Sequence, residues 1–395
     1  MQQVANGGRL YGLDWLRIGA FALLILYHIG MFFVPWGWHV KTSQPLEWLE
    51  LPMLALNPWR LTLLFLISGI ASRALLAKTG KSGAFARGRS LRLLVPLAAG
   101  MILFVAPQPW AELRENAGYE AGFLHFWTQD YFIFAAREGL ILPTWNHLWF
   151  VAYLWVYTMA LALLSLLPAA VRAGLQRGFE RAFASWRLLV LPMLWLAGLR
   201  LFLFPTSGET HALLDDPYAH AVYGSAFFFG VGLARADGLW AWIVAHWRTA
   251  AVAGVAAYAL IVLLDLTIDG ESGAVELAVR GIARSVQAWG IVVALIGFAV
   301  VRLHRDGPVR RYLTDAIFPF YIAHQTIIVL AGHGLKPLGL GAGAEFAIIL
   351  ATTVAGCAVT YEVGRRVGLL RPLIGLKAYA GASRRMTPSS AAATR

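Results

Sequence analysis

Apolar runs about twenty residues long recur along this chain between short polar segments, at about 12–35, 55–77, 90–107, 145–167, 187–205, 219–236, 246–266, 278–301, 312–334 and 343–365. A bilayer core about 30 Å thick takes roughly 20 apolar residues per helix, so each run predicts a membrane span. The second is interrupted by a charge, which makes it the least regular of the early ones. The runs are continuous and too long for strands, which excludes a transmembrane barrel. The expected fold class is an all-α integral membrane protein, with about ten transmembrane helices in one bundle over residues 1–378. A basic tail rich in Ser, Ala and Thr, 379–395, is expected to be disordered.

Composition agrees with this pattern. Of 395 residues, 59% are hydrophobic and only 14% charged, with a mean hydropathy of +0.63, outside the range of soluble domains of this length. The first run is too aromatic and too polar in mid-course for a cleaved signal peptide, and is expected to stay in the protein.

Charge sets the orientation, because basic loops stay on the cytoplasmic side. Arg73, Lys78, Lys81, Arg87, Arg89 and Arg92 follow span two; Arg172, Arg177, Arg181 and Arg187 follow span four; Arg302, Arg305, Arg310 and Arg311 follow span eight. The alternate loops carry acids: Glu112, Glu115, Glu120, Asp130 and Glu138, then Glu209, Asp215 and Asp216, then Asp265, Asp269, Glu271 and Glu276. Both termini are therefore expected in the cytoplasm, in a multi-pass protein of the cell inner membrane. The net charge of +12 reflects this topology, and its dispersal among short loops argues against a nucleic-acid partner. Oligomeric state is not legible. The single Cys357 excludes a disulfide or cysteine-based metal site within the chain, and no histidines have ligand spacing on a shared face, so no metal is predicted.

One stripe in the first span breaks the apolar pattern. Eleven steps of 100° leave Arg17 and His28 about 20° apart around the helix axis and roughly 16 Å apart along it; Asp14 falls within about 40° of His28. Ionisable groups at membrane depth face the bundle interior or a water-filled path and mark function by default. The bland alternative makes Asp14 and Arg17 an interfacial ion pair and His28 a satisfied core histidine.

The stretch "YGLDWLRIGAFALLILYHIGMFF" resembles the first helix of the membrane acyltransferase 3 family, marked by a basic residue, ten intervening residues and a histidine. "FLISGIASR" (Phe65 to Arg73), the pair Arg89 and Arg92, "NHLWFVAYL" (Asn146 to Leu154) and "FYIAHQTII" (Phe320 to Ile328) follow in the family's order. "WGWHVKTSQPLEWL" (Trp36 to Leu49) is similar, more loosely, to the branch containing the osmoregulated periplasmic glucan succinyltransferases. No appended hydrolase-like domain is expected after the tenth span.

The resemblance implies transfer of an acyl group, acetyl or succinyl, from cytoplasmic acyl-CoA to a hydroxyl of an extracytoplasmic glycan or glycolipid. Chemistry gives this an independent footing. An alcohol needs a general base, and histidine suits that work near neutrality; His28 lies about two thirds of the way across. Guanidinium groups match phosphate oxygens, so Arg89, Arg92 and Arg73 are candidates for the donor, while Arg17 either binds donor or holds Asp14. His147 either assists His28, orients the acceptor or sits at the interface with Trp145 and Trp149. His324 lies near mid-membrane beside Gln325 and Tyr321, as a functional group or a core histidine. His39, with Trp36 and Trp38, lies where an acceptor would enter. Glu362 is expected to pair with an arginine of the basic end. Trp36, Trp38, Trp48, Trp59, Trp110, Trp127, Trp145 and Trp149 suit either sugar faces or the membrane interface. The segment 108–144 is expected as a re-entrant or surface-lying helix.

Direct transfer is the simpler mechanism; an acyl-enzyme relay through Ser68 or a histidine is the other. Phosphate-loop, dinucleotide, zinc-protease and nucleophile-elbow motifs are absent. The alternative from another class is a transporter or flippase, with the Arg17 and His28 stripe lining a translocation path.

Overall fold

The computed structural model describes residues 11–268 and 273–377. The basic tail, and Asp269 and Glu271 of the last acidic loop, lie outside them. Among the described residues nine helices are long and apolar enough to cross a membrane. The first is α1 (Tyr11–Phe33) and the second α2 (Glu50–Thr79). In the third, α3 (Ser82–Gly100) runs through a π-helical turn at Met101–Val105 into α4 (Pro107–Asn116). The fourth is α5 (Trp149–Leu164), and an amphipathic helix, α6 (Ala169–Ala182), separates it from the fifth, which begins with α7 (Arg187–Gly198).

The expected span at 219–236 is helical but short. Pro217–Ala219, a π-helical turn at His220–Gly224 and α8 (Ser225–Leu233) together rise about 25 Å at 1.5 Å per residue, less than the hydrocarbon core. The reason lies in the preceding loop. Asp216 is buried and accepts from the backbone N–H of Ala219 (3.0 Å), so the helix starts inside the bundle. The remaining long helices are α9 (Asp237–Thr267), α10 (Ala274–Arg302), α11 (Pro308–Leu335) and α12 (Ala342–Arg366). Nine of the ten expected spans thus meet the length of a membrane crossing, and the tenth completes the bundle.

Glycines set the closest crossing. A Cβ on Gly69 would lie 2.0 Å from the Phe227 carbonyl oxygen, and one on Gly230 would lie 2.0 Å from that of Leu66. Only hydrogen fits at either position, so α2 and α8 meet backbone to backbone as small residues allow between membrane helices.

The first and last long helices share one end of the bundle. Asp14, in the first turn of α1, pairs with Arg310 in the first turns of α11, and Tyr312 of α11 donates to Glu362 near the end of α12 (3.0 Å). Glu362 also pairs with Arg365 and Arg366, as expected. At the opposite end, 108–144 departs from expectation. Its first part, α4, prolongs the third span; a short helix at Phe123–His125 and a π-helical turn follow, and then a hairpin pairs β1 (Ala135–Arg137) with β2 (Leu140–Leu142). Two features end the helix early. Tyr131 is fully buried and donates to the carbonyls of Met101 and Thr144, while Glu138 and Gly139 take positive φ, 46° and 80°, the backbone of a tight hairpin turn.

Candidate active site

A cavity of about 580 Å³ opens between α1, α2, α5 and α11 at the end opposite the arginines, and its wall is unusually polar for a membrane bundle. His28 of α1, Asn57 and Arg60 of α2, Asn146, His147 and Trp149 at the start of α5, and Tyr321 and Gln325 of α11 line it. Trp38 and His39 come from the loop after α1, and Glu209 and His211 from the loop before α8.

The hydrogen bonds fix the tautomer of His28. His324 is fully buried and its Nδ1 donates to the Tyr321 carbonyl (2.7 Å), so in the neutral ring Nε2 is an acceptor. His28 Nδ1 lies 2.8 Å from that nitrogen and must be the donor; the two rings are parallel within 6°. His28 Nε2 is thereby left as the lone-pair nitrogen, and it takes no protein hydrogen bond among the described residues. A third residue orienting the base from behind is the arrangement general-base catalysis requires. His147 differs, since both its ring nitrogens are engaged. Nε2 donates to the carbonyls of Tyr321 (3.0 Å) and Ile322 (3.2 Å), Gln108 approaches Nδ1 at 3.4 Å, and the Tyr321 hydroxyl donates back to the His147 carbonyl. It ties α5 to α11.

His39 is held between two partners. Its Nδ1 donates to Glu112 (2.5 Å), and Gln325 donates to its Nε2 (3.0 Å). Gln325 and Asn146 both donate to the Gln108 carbonyl oxygen, at 3.0 and 2.9 Å, and Gln108 donates to Thr326 (2.7 Å). The rim on the other side hangs from Asp216, which accepts from Tyr153 (2.9 Å) and from the backbone of His211 (2.7 Å). Glu209 in turn accepts from Tyr223 (2.7 Å) and His211 (3.0 Å), and the His211 ring stacks on Trp149 at 4.1 Å.

Sequence reasoning missed Arg60. It is 4% exposed, its guanidinium lies 3.5 Å above the Tyr27 ring, and its Nε and Nη1 are buried without a hydrogen-bond partner among the described residues. The signal was the charge that interrupts the second apolar run. Glu112 and Glu209 were visible only as loop acids.

A second cavity, of about 440 Å³, lies toward the arginine-rich end and is lined by Arg17, Arg89, Arg92 and Arg371 with Ser68, Ser72 and Asp315. Phe21, Leu64 and Phe150 line both cavities. On α1, then, Arg17 faces one chamber, His28 the other, and Phe21 the boundary between them. Arg89 has a buried Nε with no hydrogen-bond partner among the described residues. Two expected site residues lie elsewhere. Asp14 lines neither cavity; it belongs to the Arg310 cluster, in which Arg310, 2% exposed, also bonds Asp306 at 2.7 and 3.0 Å, because a buried guanidinium needs more than one carboxylate oxygen. Arg73 lines a separate cavity, since it lies beyond Ser72 where α2 turns another face to the bundle.

Among the described residues no group of three or more His, Cys, Asp or Glu side chains is arranged to hold a metal. The helical bundle thus carries a polar, histidine-bearing cavity toward one end and an arginine-lined chamber toward the other. The acyltransferase 3 family model, described as an acyltransferase domain, matches residues 10–362. The chain belongs to this membrane acyltransferase family, as the first-helix motif implied. No match was found among curated proteins or among solved structures.

Proposed function

We propose that this membrane acyltransferase moves an acetyl or succinyl group from acyl-CoA to a hydroxyl of a glycan or glycolipid, with His28 as general base. The observation that carries the reading is the pair of chambers joined at Phe21, Leu64 and Phe150, with four arginines in one and an oriented histidine in the other. The phosphates of the donor would sit on Arg17, Arg89 and Arg92, and its thioester would reach past the three apolar side chains to His28. The acceptor would enter beside Trp38, His39 and Trp149, whose flat rings suit sugar faces. In this reading the arginine-rich end faces the cytoplasm of an inner membrane, following the distribution of basic loops.

The chemistry balances without an added reactant. His28 Nε2 takes the hydroxyl proton as the alkoxide oxygen bonds to the acyl carbon; the carbon–sulfur bond breaks, and the thiolate leaves with the electron pair. The His28–His324 hydrogen bond keeps the accepting lone pair on Nε2, and Arg60 contributes fixed positive charge beside the developing oxyanion. Ser68 lines the donor chamber, away from His28, which favours direct transfer over a relay.

The test is transfer of label from acetyl-CoA and succinyl-CoA by purified protein in detergent, with a periplasmic glycan extract as acceptor. Label on the extract supports O-acylation and identifies the donor. Failure to bind or consume either acyl-CoA, with movement of substrate across a vesicle membrane, would replace this reading with transport.

A further inference from the structure

Arg73, Arg172 and Arg235 line a third cavity, of about 510 Å³, at the arginine-rich end and apart from the chamber that holds Arg17, Arg89 and Arg92. No Asp or Glu lines it. Of the carboxylates of this end, Asp14 and Asp306 pair with Arg310 and Glu362 with Arg365 and Arg366, while Glu180 of α6 accepts from Gln176 of the cavity wall (2.9 Å). Beyond the three arginines the wall is mostly apolar, interrupted by Ser82, Ser165 and Gln176, and two of its rings, Phe179 and Phe228, also line a neighbouring cavity of about 480 Å³ walled largely by Phe183, Trp195, Phe229 and Trp289. The amphipathic helix α6 supplies both Arg172 and Phe179 and buries none of its residues fully. Gly232 makes room for this arrangement, since a Cβ there would lie 2.7 Å from the Phe179 ring. A cationic mouth thus leads into an aromatic-walled apolar chamber.

We propose that these two cavities bind one anionic phospholipid, its phosphate on Arg73, Arg172 and Arg235 and an acyl chain lodged past Phe179 and Phe228. Guanidinium forks match phosphate oxygens, and basic residues at the membrane surface select anionic over zwitterionic headgroups. An apolar chamber directly beyond the charges gives the site an amphiphile's shape rather than that of a free phosphate.

The full chain, purified in detergent, would be titrated with phosphatidylglycerol, with phosphatidylcholine and with coenzyme A, and binding read by native mass spectrometry. Phosphatidylglycerol is expected to bind more tightly than phosphatidylcholine. Each Arg→Gln substitution (Arg73→Gln, Arg172→Gln or Arg235→Gln) is expected to weaken phosphatidylglycerol about fivefold, and the three together on the order of a hundredfold, with phosphatidylcholine unchanged. The triple Arg→Lys variant should retain most of the preference for the anionic lipid, which separates lost charge from lost folding. Equal binding of the two lipids to wild type would overturn the proposal, as would full affinity for phosphatidylglycerol in the triple Gln variant. Displacement of phosphatidylglycerol by coenzyme A from wild type, together with loss of coenzyme A binding in the triple Gln variant, would assign the site to a nucleotide instead. None of these readouts depends on acyl transfer.

Discussion

The chamber around His28 and the chamber around Arg89 share Phe21, Leu64 and Phe150 and little else in their chemistry. In the first, polar groups hold one another: His28 to His324, His39 to Glu112 and Gln325, Gln108 to Asn146 and Thr326. In the second, guanidinium groups gather around a single lining carboxylate, Asp315, and Arg89 keeps a buried nitrogen without a hydrogen-bond partner among the described residues. The first arrangement is suited to directing one lone pair, which needs fixed geometry. The second is suited to holding several negative charges, which needs more guanidinium groups than carboxylates and tolerates looser geometry. One helix, α1, serves both because its polar residues share a stripe and Phe21 lies between them.

The comparison predicts that damage to the two chambers will read out differently. The largest effect is expected at His28: His28→Ala should lower transfer about 10²- to 10⁴-fold, the usual contribution of a positioned base, with thermal stability near wild type. Next comes His324→Leu, which removes the acceptor for His28 Nδ1. The turnover rate should fall on the order of a hundredfold while the donor KM stays unchanged; a KM effect alone would contradict the orienting role. Arg89→Gln and Arg92→Gln should do the reverse, raising the donor KM about tenfold each with little change in turnover.

The α2–α8 crossing beside both chambers supplies a stability control. Gly230→Ala should cost about 1–3 kcal/mol through overpacking against the Leu66 carbonyl, seen as a lower melting temperature with donor KM preserved in the folded fraction. The smallest effect is expected at Asp130 beside the hairpin, which lines neither chamber. The Tyr119 hydroxyl, 2.5 Å from Asp130, and the Arg137 guanidinium hold the Asp130 carboxyl below its usual range. A depressed carboxylate pKa stabilises the fold above the unfolded value and is lost as pH falls through the folded one. Asp130→Asn should therefore lower the melting temperature slightly at neutral pH, by about a degree, and the difference from wild type should vanish as the solution is taken below about pH 4.

The helices, the stripe from Arg17 to His28 and the place of His324 on a long apolar helix were legible because period and hydropathy are local properties. The helix at 217–233 falls short of a full crossing because it starts at the buried Asp216, inside the bundle, which apolar composition alone did not reveal. Partnerships were not legible. Asp14 with Arg310, His28 with His324, and Gln325 with His39 join residues nearly three hundred positions apart, and which faces meet depends on how each helix is rotated in the bundle. Arg73 illustrates the same limit, since its charge and its place among the basic residues after span two grouped it with Arg89 and Arg92, yet its own turn of α2 lines another cavity. Arg60 was hidden by its position: a single arginine near the start of an apolar run reads as a flaw in the span until the fold places it above Tyr27.

The most direct test of the central claim is sidedness. The full chain would be reconstituted in vesicles of known orientation, with labelled acyl-CoA supplied on one side of the membrane and a glycan acceptor on the other. The account predicts labelled acceptor only when the donor faces the arginine-rich end and the acceptor faces the His28 chamber, with the signal lost in His28→Ala. Transfer that requires both substrates on the same side would contradict the passage of the acyl group between the two chambers.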